Sequence, residues 1–443
     1  MTHPLRLRNF RLLFVSRTMS TLSDALVPTA LSLAVVEVTG SATMLAVVLG
    51  CALGTRLVLL PVAGAVADRF DTRKVALVAD LTRMVTQAVV AVELLGDNPS
   101  IALIAVAQVV AGAASAVGLS NLSPLVTKTV PASGGQRIKA NSLMGVAKSV
   151  SLLAGPALAG ALIFAVGFGW VFVADATAFG ISATLMLLIR LDKGAEATEG
   201  ASAGPAERRS IRADLIEGFT EVRARDWYWT SLIAHAVWNF VANILLTLGP
   251  LIAVKRLGGE GSWVAVTQAG GVGLLLGSLV SGWARPKRPV LVGNIALASY
   301  ALPLTLFAAG APVLLLATGY GIALAALGFL NPTWDSTVQA VIPQSALARV
   351  SSYDWLVSLA AQPLGVILAP VALSLWGERV PFAAAAVLVA VVCVGTAAVP
   401  GVRGLRLDYA AQARSAPVEA PETGAVPEAR TVQSGGKGAG SLA

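Results

Sequence analysis

Gly64-Ala65-Val66-Ala67-Asp68-Arg69-Phe70-Asp71-Thr72-Arg73-Lys74 sets a densely charged turn between two long apolar runs. Most of the chain outside it is poor in charge. A turn this short between membrane-length segments reads as a hinge joining antiparallel helices. Gly64 brings no Cβ to the contact and lets two helix ends approach closely. Asp68 and the bases Arg69, Arg73 and Lys74 can pair with one another or clamp a neighbouring helix.

The meaning of such a turn depends on its surroundings. Of 443 residues, 56% are apolar and 13% charged, and the mean hydropathy is +0.76. A soluble protein carries about 25% charged residues, so the solvent for this chain is lipid. The 43 glycines and 22 prolines sit mostly inside the apolar runs, a habit of membrane helices. The net charge of +8 does not read as nucleic-acid binding, because the bases fall in particular loops and not along one stripe. Cys51 and Cys393 lie inside apolar runs far apart, which favours packing over a disulfide or metal site. No nucleotide loop, metal-ligand cluster or nucleophile triad is evident, so neither an enzyme nor a cofactor is expected.

Runs long enough to cross about 30 Å of hydrocarbon recur twelve times. They are predicted at 12–37, 43–67, 75–95, 101–127, 141–166, 170–190, 229–255, 262–284, 289–309, 312–333, 352–375 and 380–400. The first is too long for a signal peptide, and Arg17 and Asp24 interrupt it. Bases concentrate on one side: Arg6, Arg8 and Arg11, then Arg73 and Lys74, the loops before spans 5 and 7, and Arg403 and Arg406. The positive-inside rule then puts both termini in the cytoplasm, in a multi-pass protein of the plasma (inner) membrane. The expected organisation is a six-helix half at 1–190, a cytoplasmic linker at 191–228, a second six-helix half at 229–400 and a disordered tail at 401–443. Within the linker, Ile211–Val222 has the spacing of a surface helix. Val130-Pro131 with Arg137 before span 5 echoes Ile342-Pro343 with Arg349 before span 11. Such echoes fit a duplicated unit, as in many secondary transporters.

Gly64-x-x-x-Asp68-Arg69-x-x-x-Arg73-Lys74 resembles the signature of the major facilitator superfamily between helices 2 and 3, with Asp71 where a glycine is usual. Gly155-Pro156-Ala157-Leu158-Ala159-Gly160 resembles the Gly-Pro-x-x-Gly-Gly motif of its proton antiporters, with one alanine substituted. Asn9-Phe10-Arg11-Leu12-Leu13, Thr39-Gly40-Ser41-Ala42, Asp80-Leu81-Thr82-Arg83 and Asp175-Ala176-Thr177-Ala178-Phe179 resemble the branch of macrolide-efflux and siderophore-exporter proteins. The likeness spans nearly the whole chain except the tail. It implies an all-α polytopic fold of twelve transmembrane helices in two pseudo-repeats, switching by alternating access, and it implies export.

Ionisable groups inside spans are costly, which makes each a functional candidate. Asp24 lies about 18 Å along the first span and Arg56 about 16 Å from the same face, so they can pair near the midplane. That pair is either a proton-coupling site or a static ion pair. Asp175, about 22 Å along the sixth span, is either a second proton site or a partner for nearby backbone. Asp80 and Arg83, one turn apart, either pair locally or trade partners with Arg17, Arg69 or Arg73 as a gate lock. Asp68 is expected to face helix 11 near Ser351–Asp354, and Gly64 to let helix 2 pack there.

His235, Asn239 and Asn243 recur every four residues and form one polar stripe, with Trp238 and Gln268 as possible neighbours. The stripe either lines a substrate cavity or bonds to adjacent helices. Lys148 is expected to snorkel to the surface. Pro156 permits a bend in helix 5 between Gly155 and Gly160. Gly270-Gly271-x-Gly273-x-x-x-Gly277 has the spacing for close helix packing.

The resulting expectation is a monomeric secondary active transporter exporting a small hydrophobic or amphipathic compound, a drug or secondary metabolite, by proton antiport. Its partners are that substrate, protons and the lipid bilayer. The alternatives are a siderophore or lipid exporter, an uncoupled facilitator, or a membrane scaffold or sensor that transports nothing.

Overall fold

The computed structural model describes residues 4–120, 125–126, 129–130, 136–189, 219–220, 222–284 and 286–407. It leaves aside the side chains of 60–69, 119–120, 136–139, 141–142, 282, 344–349, 351–353 and 355. Among the described residues twelve helices are long and apolar enough to cross a membrane, and there is no strand. The first six are α1 (Arg8–Thr39), α2 (Ala42–Arg69), α3 (Thr72–Leu95), α4 (Ile101–Ser120), α5 (Gln136–Val166) and α6 (Phe168–Leu188). The second six are α7 (Asp226–Arg256), α8 (Glu260–Trp283), α9, α10 (Val313–Val341), α11 (Gln344–Trp376) and α12 (Arg379–Gly395). Helix α9 runs Pro289–Leu297 and Ala301–Ala309, joined by a 3-10 turn at Ala298–Tyr300. An even number of crossings returns the chain to the face on which it began.

Local chemistry sets several of these ends. Asp71 is the N-cap of α3, its carboxylate accepting from the backbone N–H groups of Arg73 (2.8 Å) and Lys74 (3.4 Å). The departure from the usual glycine therefore supplies a cap. Gly40 and Gly310 close α1 and α9 with φ of +59° and +70°, a region that side chains avoid.

The helix pairing repeats with a shift of six. In the first half α1 packs on α5 and α6, α2 on α4, and α3 on α4 and α6. In the second, α7 packs on α11 and α12, α8 on α10, and α9 on α10 and α12. The halves meet along α2–α11 and α5–α8, with α1 beside α7. The α8–α10 contact is backbone on backbone: a Cβ at Gly273 would fall 1.9 Å from the Gly321 carbonyl oxygen, and one at Gly277 1.8 Å from that of Ala325. The small-residue spacing in α8 has this cause. Outward-facing Val58, Val92, Leu314 and Trp283 are well exposed, and only hydrocarbon covers such a surface at no cost.

The structure also revises the expected spans. Helix α10 continues to Val341 and α11 begins at Gln344, well beyond the apolar runs 312–333 and 352–375. Polar helix ends extend past the apolar stretch, so Asp335 and Asp354 stand within helices and not at their edges. Helix α7 starts at Asp226, where Phe219 packs edge-on against Trp229 with centroids 6.3 Å apart. Residues 191–218 of the linker and the tail from 408 lie outside the described residues.

Candidate functional site

Two parallel helices, α1 and α3, build the polar interior of the first half. Arg17 of α1 is paired with Asp80 of α3 at 2.7 Å, and the Ser182 hydroxyl of α6 donates to the same carboxylate oxygen at 2.6 Å. Ser16 and Ser20 close around Ser182 at 2.8 and 3.2 Å. Two turns further along α1, Asp24 is paired with Arg83 of α3, whose guanidinium lies 4.0 Å from the centroid of the Phe179 ring. The acid and the base thus exchange helices between one rung and the next.

The Asp24 rung differs from the expected pair, and of the partners open to Asp80 the structure shows Arg17. Asp24 bonds Arg83 and not Arg56, and Asp80 bonds Arg17 and not its neighbour Arg83. Arg56 shares the cavity wall with Asp24 but makes no ion pair among the described residues, and its Nε is buried without a partner. Asp175 on α6 is 2% exposed. Neither of its oxygens meets hydrogen-bond geometry, although the Ser23 hydroxyl lies beside it and Arg83 acts on its charge. Arg83 therefore stands in the field of three carboxylates, from Asp24, Asp175 and Asp80.

The Asp24–Arg83 rung borders a central cavity of about 320 Å3. Asp24, Arg56, Arg83, Gln87 and Gln108 face it from the first half, and Asn243 and Gln362 from the second. The helix-5 motif positions this wall. A Cβ at Gly155 would fall 2.5 Å from the Cβ of Ala25, next to Asp24, and one at Gly160 would fall 2.5 Å from Val264 of α8. Bare backbone at these two points fits α5 against both α1 and the other half. Pro156 sits inside α5, which continues through it to Val166.

The charged turn makes one firm tie among the described side chains. The Arg73 guanidinium donates to the carbonyls of Ile189 (2.6 Å) and Leu187 (3.4 Å), fastening the start of α3 to the end of α6. A cation at a helix C-terminus also meets the negative end of its dipole. Lys74 contributes its backbone N–H to the Asp71 cap. The side chains of Gly64, Asp68 and Arg69 lie outside the described residues, and so does the expected approach of Asp68 to α11.

In the second half, the polar stripe lines the cavities and also bonds to a neighbouring helix. The Asn239 and Asn243 amides donate to carbonyls of their own helix, each at 2.9 Å. Asn239 also accepts from Gln362 of α11 at 2.9 Å. A second cavity, about 370 Å3, is lined by His235, Trp238 and Asn239 together with Trp334, Asp335 and Asp354, and by Lys148 from the first half. Lys148 thus lines a cavity where the sequence reading sent it to the surface. Asp354 accepts from Trp334 Nε1 (2.6 Å), Ser358 (3.3 Å) and Tyr228 (3.4 Å), with His235 Nδ1 at 3.9 Å. Gln362 lines both cavities. Gln268 is absent from both walls, its Oε1 buried and unpartnered.

The sequence reading missed Asp335, Trp334 and Gln362, and it treated Asp354 only as a marker near the gate. The available signal was the spacing of Asp354, Ser358 and Gln362, which puts three polar groups on one helix face. No cluster able to hold a metal ion occurs among the described residues.

A family model described as Major Facilitator Superfamily matches residues 13–358. The chain belongs to the Major Facilitator Superfamily. Within the Major Facilitator Superfamily it is 25% identical over 394 residues to the multidrug efflux pump Tap of Mycobacterium tuberculosis, covering 84% of this chain and 88% of that protein. Tap of Mycolicibacterium fortuitum is 24% identical over 329 residues, covering 71% and 76%. Among solved structures, the nucleoside transporter NupG superposes with a TM-score of 0.71 at 12% identity, over 88% of this chain and 99% of that one. A POT family transporter in complex with a thioalcohol-conjugated peptide gives 0.68 at 14%, over 88% and 96%. These structures share the Major Facilitator Superfamily fold seen here, a multi-pass helical membrane protein of twelve spans in two six-helix repeats.

Proposed function

We propose that this transporter exports small amphipathic compounds from the cytoplasm in exchange for protons, by alternating access. Similarity to Tap over most of both chains supports export as the direction. The observation that carries proton coupling is one guanidinium, Arg83, set among carboxyls from three helices. A single guanidinium fully compensates one buried carboxylate, and an uncompensated one is costly. A proton arriving on Asp24 frees Arg83 to turn toward Asp175, and its loss draws Arg83 back. Asp24 is the half-exposed member of the pair and faces the cavity, so protons exchange there. Because Asp24, Arg83 and Asp175 sit on α1, α3 and α6, a change of partner shifts helix against helix within the first half.

The two halves, 1–190 and 229–400, rock about the α2–α11 and α5–α8 contacts, with 191–228 as the linker. The plasma membrane is the site, with the base-rich face that carries both termini in the cytoplasm. Arg73 and the Asp71 cap hold the α2–α3 turn on that face as a gate element, together with Gly64, Asp68, Arg69 and Lys74.

Efflux of a fluorescent amphipathic dye from sealed vesicles under an imposed pH gradient tests the reading. The expected result is gradient-dependent flux in the wild type and none in Asp24→Asn. A scaffold would show no flux in either, and a facilitator would show flux indifferent to the gradient; either outcome removes the proposal.

A further inference from the structure

The second cavity carries acid on its walls and almost nothing to neutralise it. Asp354 and Asp335 face one space, each acting on the other's charge. Among the described residues every hydrogen bond Asp354 receives comes from a neutral group, the Trp334 indole, the Tyr228 phenol and the Ser358 hydroxyl, with His235 Nδ1 at 3.9 Å. Such donors hold the carboxylate in place without compensating its charge. Among the described residues the one permanent cation on the wall is Lys148, which comes from α5 of the other half. It acts on Asp335 through space and makes no ion pair among the described residues.

Aromatic rings surround the acids. Trp334 packs against Tyr228 and His235 with centroids 5.1 and 4.8 Å apart, and Trp238 closes another side. His235 and Trp238 are 8% and 9% exposed, yet His235 Nε2 and Trp238 Nε1 have no hydrogen-bond partner in the described structure. Unpartnered buried ring nitrogens are uncommon and point to a space shaped for an occupant.

We propose that this cavity is a subsite for a lipophilic organic cation, and that Lys148 is the resident counter-ion the cation displaces. The proposal names the cargo class for the export reading and depends on that reading for turnover, not for binding. The carboxylates attract the charge and the ring faces cover the apolar body, an arrangement suited to delocalised cations. The acids belong to α10 and α11, and Lys148 belongs to α5. Displacing Lys148 therefore removes an attraction between the two halves at the moment of loading, which ties occupancy to rocking. Gln362, on both walls, joins this subsite to the central cavity beside Asp24.

The test uses the full chain in lipid nanodiscs without any gradient, against empty nanodiscs as baseline. Equilibrium dialysis compares tetraphenylphosphonium with tetraphenylborate, which have one shape and opposite charge. The expected result is a preference for the phosphonium of about tenfold or more, weakened about tenfold by Asp354→Asn. Lys148→Ala is expected to tighten phosphonium binding severalfold, a gain that misfolding cannot produce. Equal binding of the two ions, unchanged binding in Asp354→Asn, or weaker binding in Lys148→Ala would each overturn the proposal. Phosphonium binding with this variant pattern, but no export from vesicles, keeps the subsite and removes the export reading. Export of a neutral dye without phosphonium binding does the reverse.

Discussion

At the contact between α1 and α3, Arg17 meets Asp80, charge against charge. At the matching contact between α7 and α9, six helices later, Asn294 donates to the Ser231 hydroxyl at 2.9 Å, amide against alcohol. Both rungs are buried, and each joins the first and third helices of its half. A neutral hydrogen bond holds two helices in one arrangement whatever the proton supply. An ion pair with a second acid or base in reach has two arrangements, and a proton chooses between them. The difference divides the labour: the first half holds exchangeable charge around Arg83, while the second sets Asp335 and Asp354 on a cavity wall and anchors Asp354 with neutral donors.

That division has measurable consequences in thermal unfolding of the purified protein. Arg17→Ala leaves Asp80 buried and unpaired and is expected to cost about 3–5 kcal/mol. Gly155→Val forces a side chain into Ala25 beside Asp24 and is expected to cost about 1–3 kcal/mol, together with a loss of gradient-driven flux. Asn294→Ala removes only a neutral bond and is expected to cost about 1–2 kcal/mol. Equal losses for Arg17→Ala and Asn294→Ala would erase the contrast between the two rungs. Asp71→Ala tests the charged turn, with an expected cost of about 1 kcal/mol, whereas Asp71→Gly is expected to cost only a few tenths. A large loss in Asp71→Gly would give that aspartate a task beyond capping.

Much of the architecture was legible in the chain because lipid imposes a simple rule. Apolar runs of one length, with bases on alternate loops, specify twelve crossings, and the glycines of α8 declared a close helix approach without naming its partner. Pairing inside the bundle was less legible. Helical rise placed Asp24 and Arg56 at one depth, and both line one cavity, but depth does not say which helix turns toward which. Arg83 reaches Asp24 because α1 and α3 both pack on α6, a fact of assembly with no counterpart in spacing. Asp335 was obscured for another reason: the apolar signal ends before the helix does, so this acid looked like a loop residue, while Asp354 stood at the very start of its expected span. Asp175 was visible as an intramembrane acid, but its lack of hydrogen-bond partners emerges only when α1, α3 and α6 are assembled.

The central claim is that Arg83 and the carboxyls around it exchange protons for cargo. Its most direct test is proton movement itself, recorded by a trapped pH dye in sealed proteoliposomes after an amphipathic substrate gradient is imposed. Wild-type protein is expected to move protons against the substrate flow, and Asp24→Asn to bind substrate while moving none. Undiminished substrate-driven proton movement in Asp24→Asn would contradict the account.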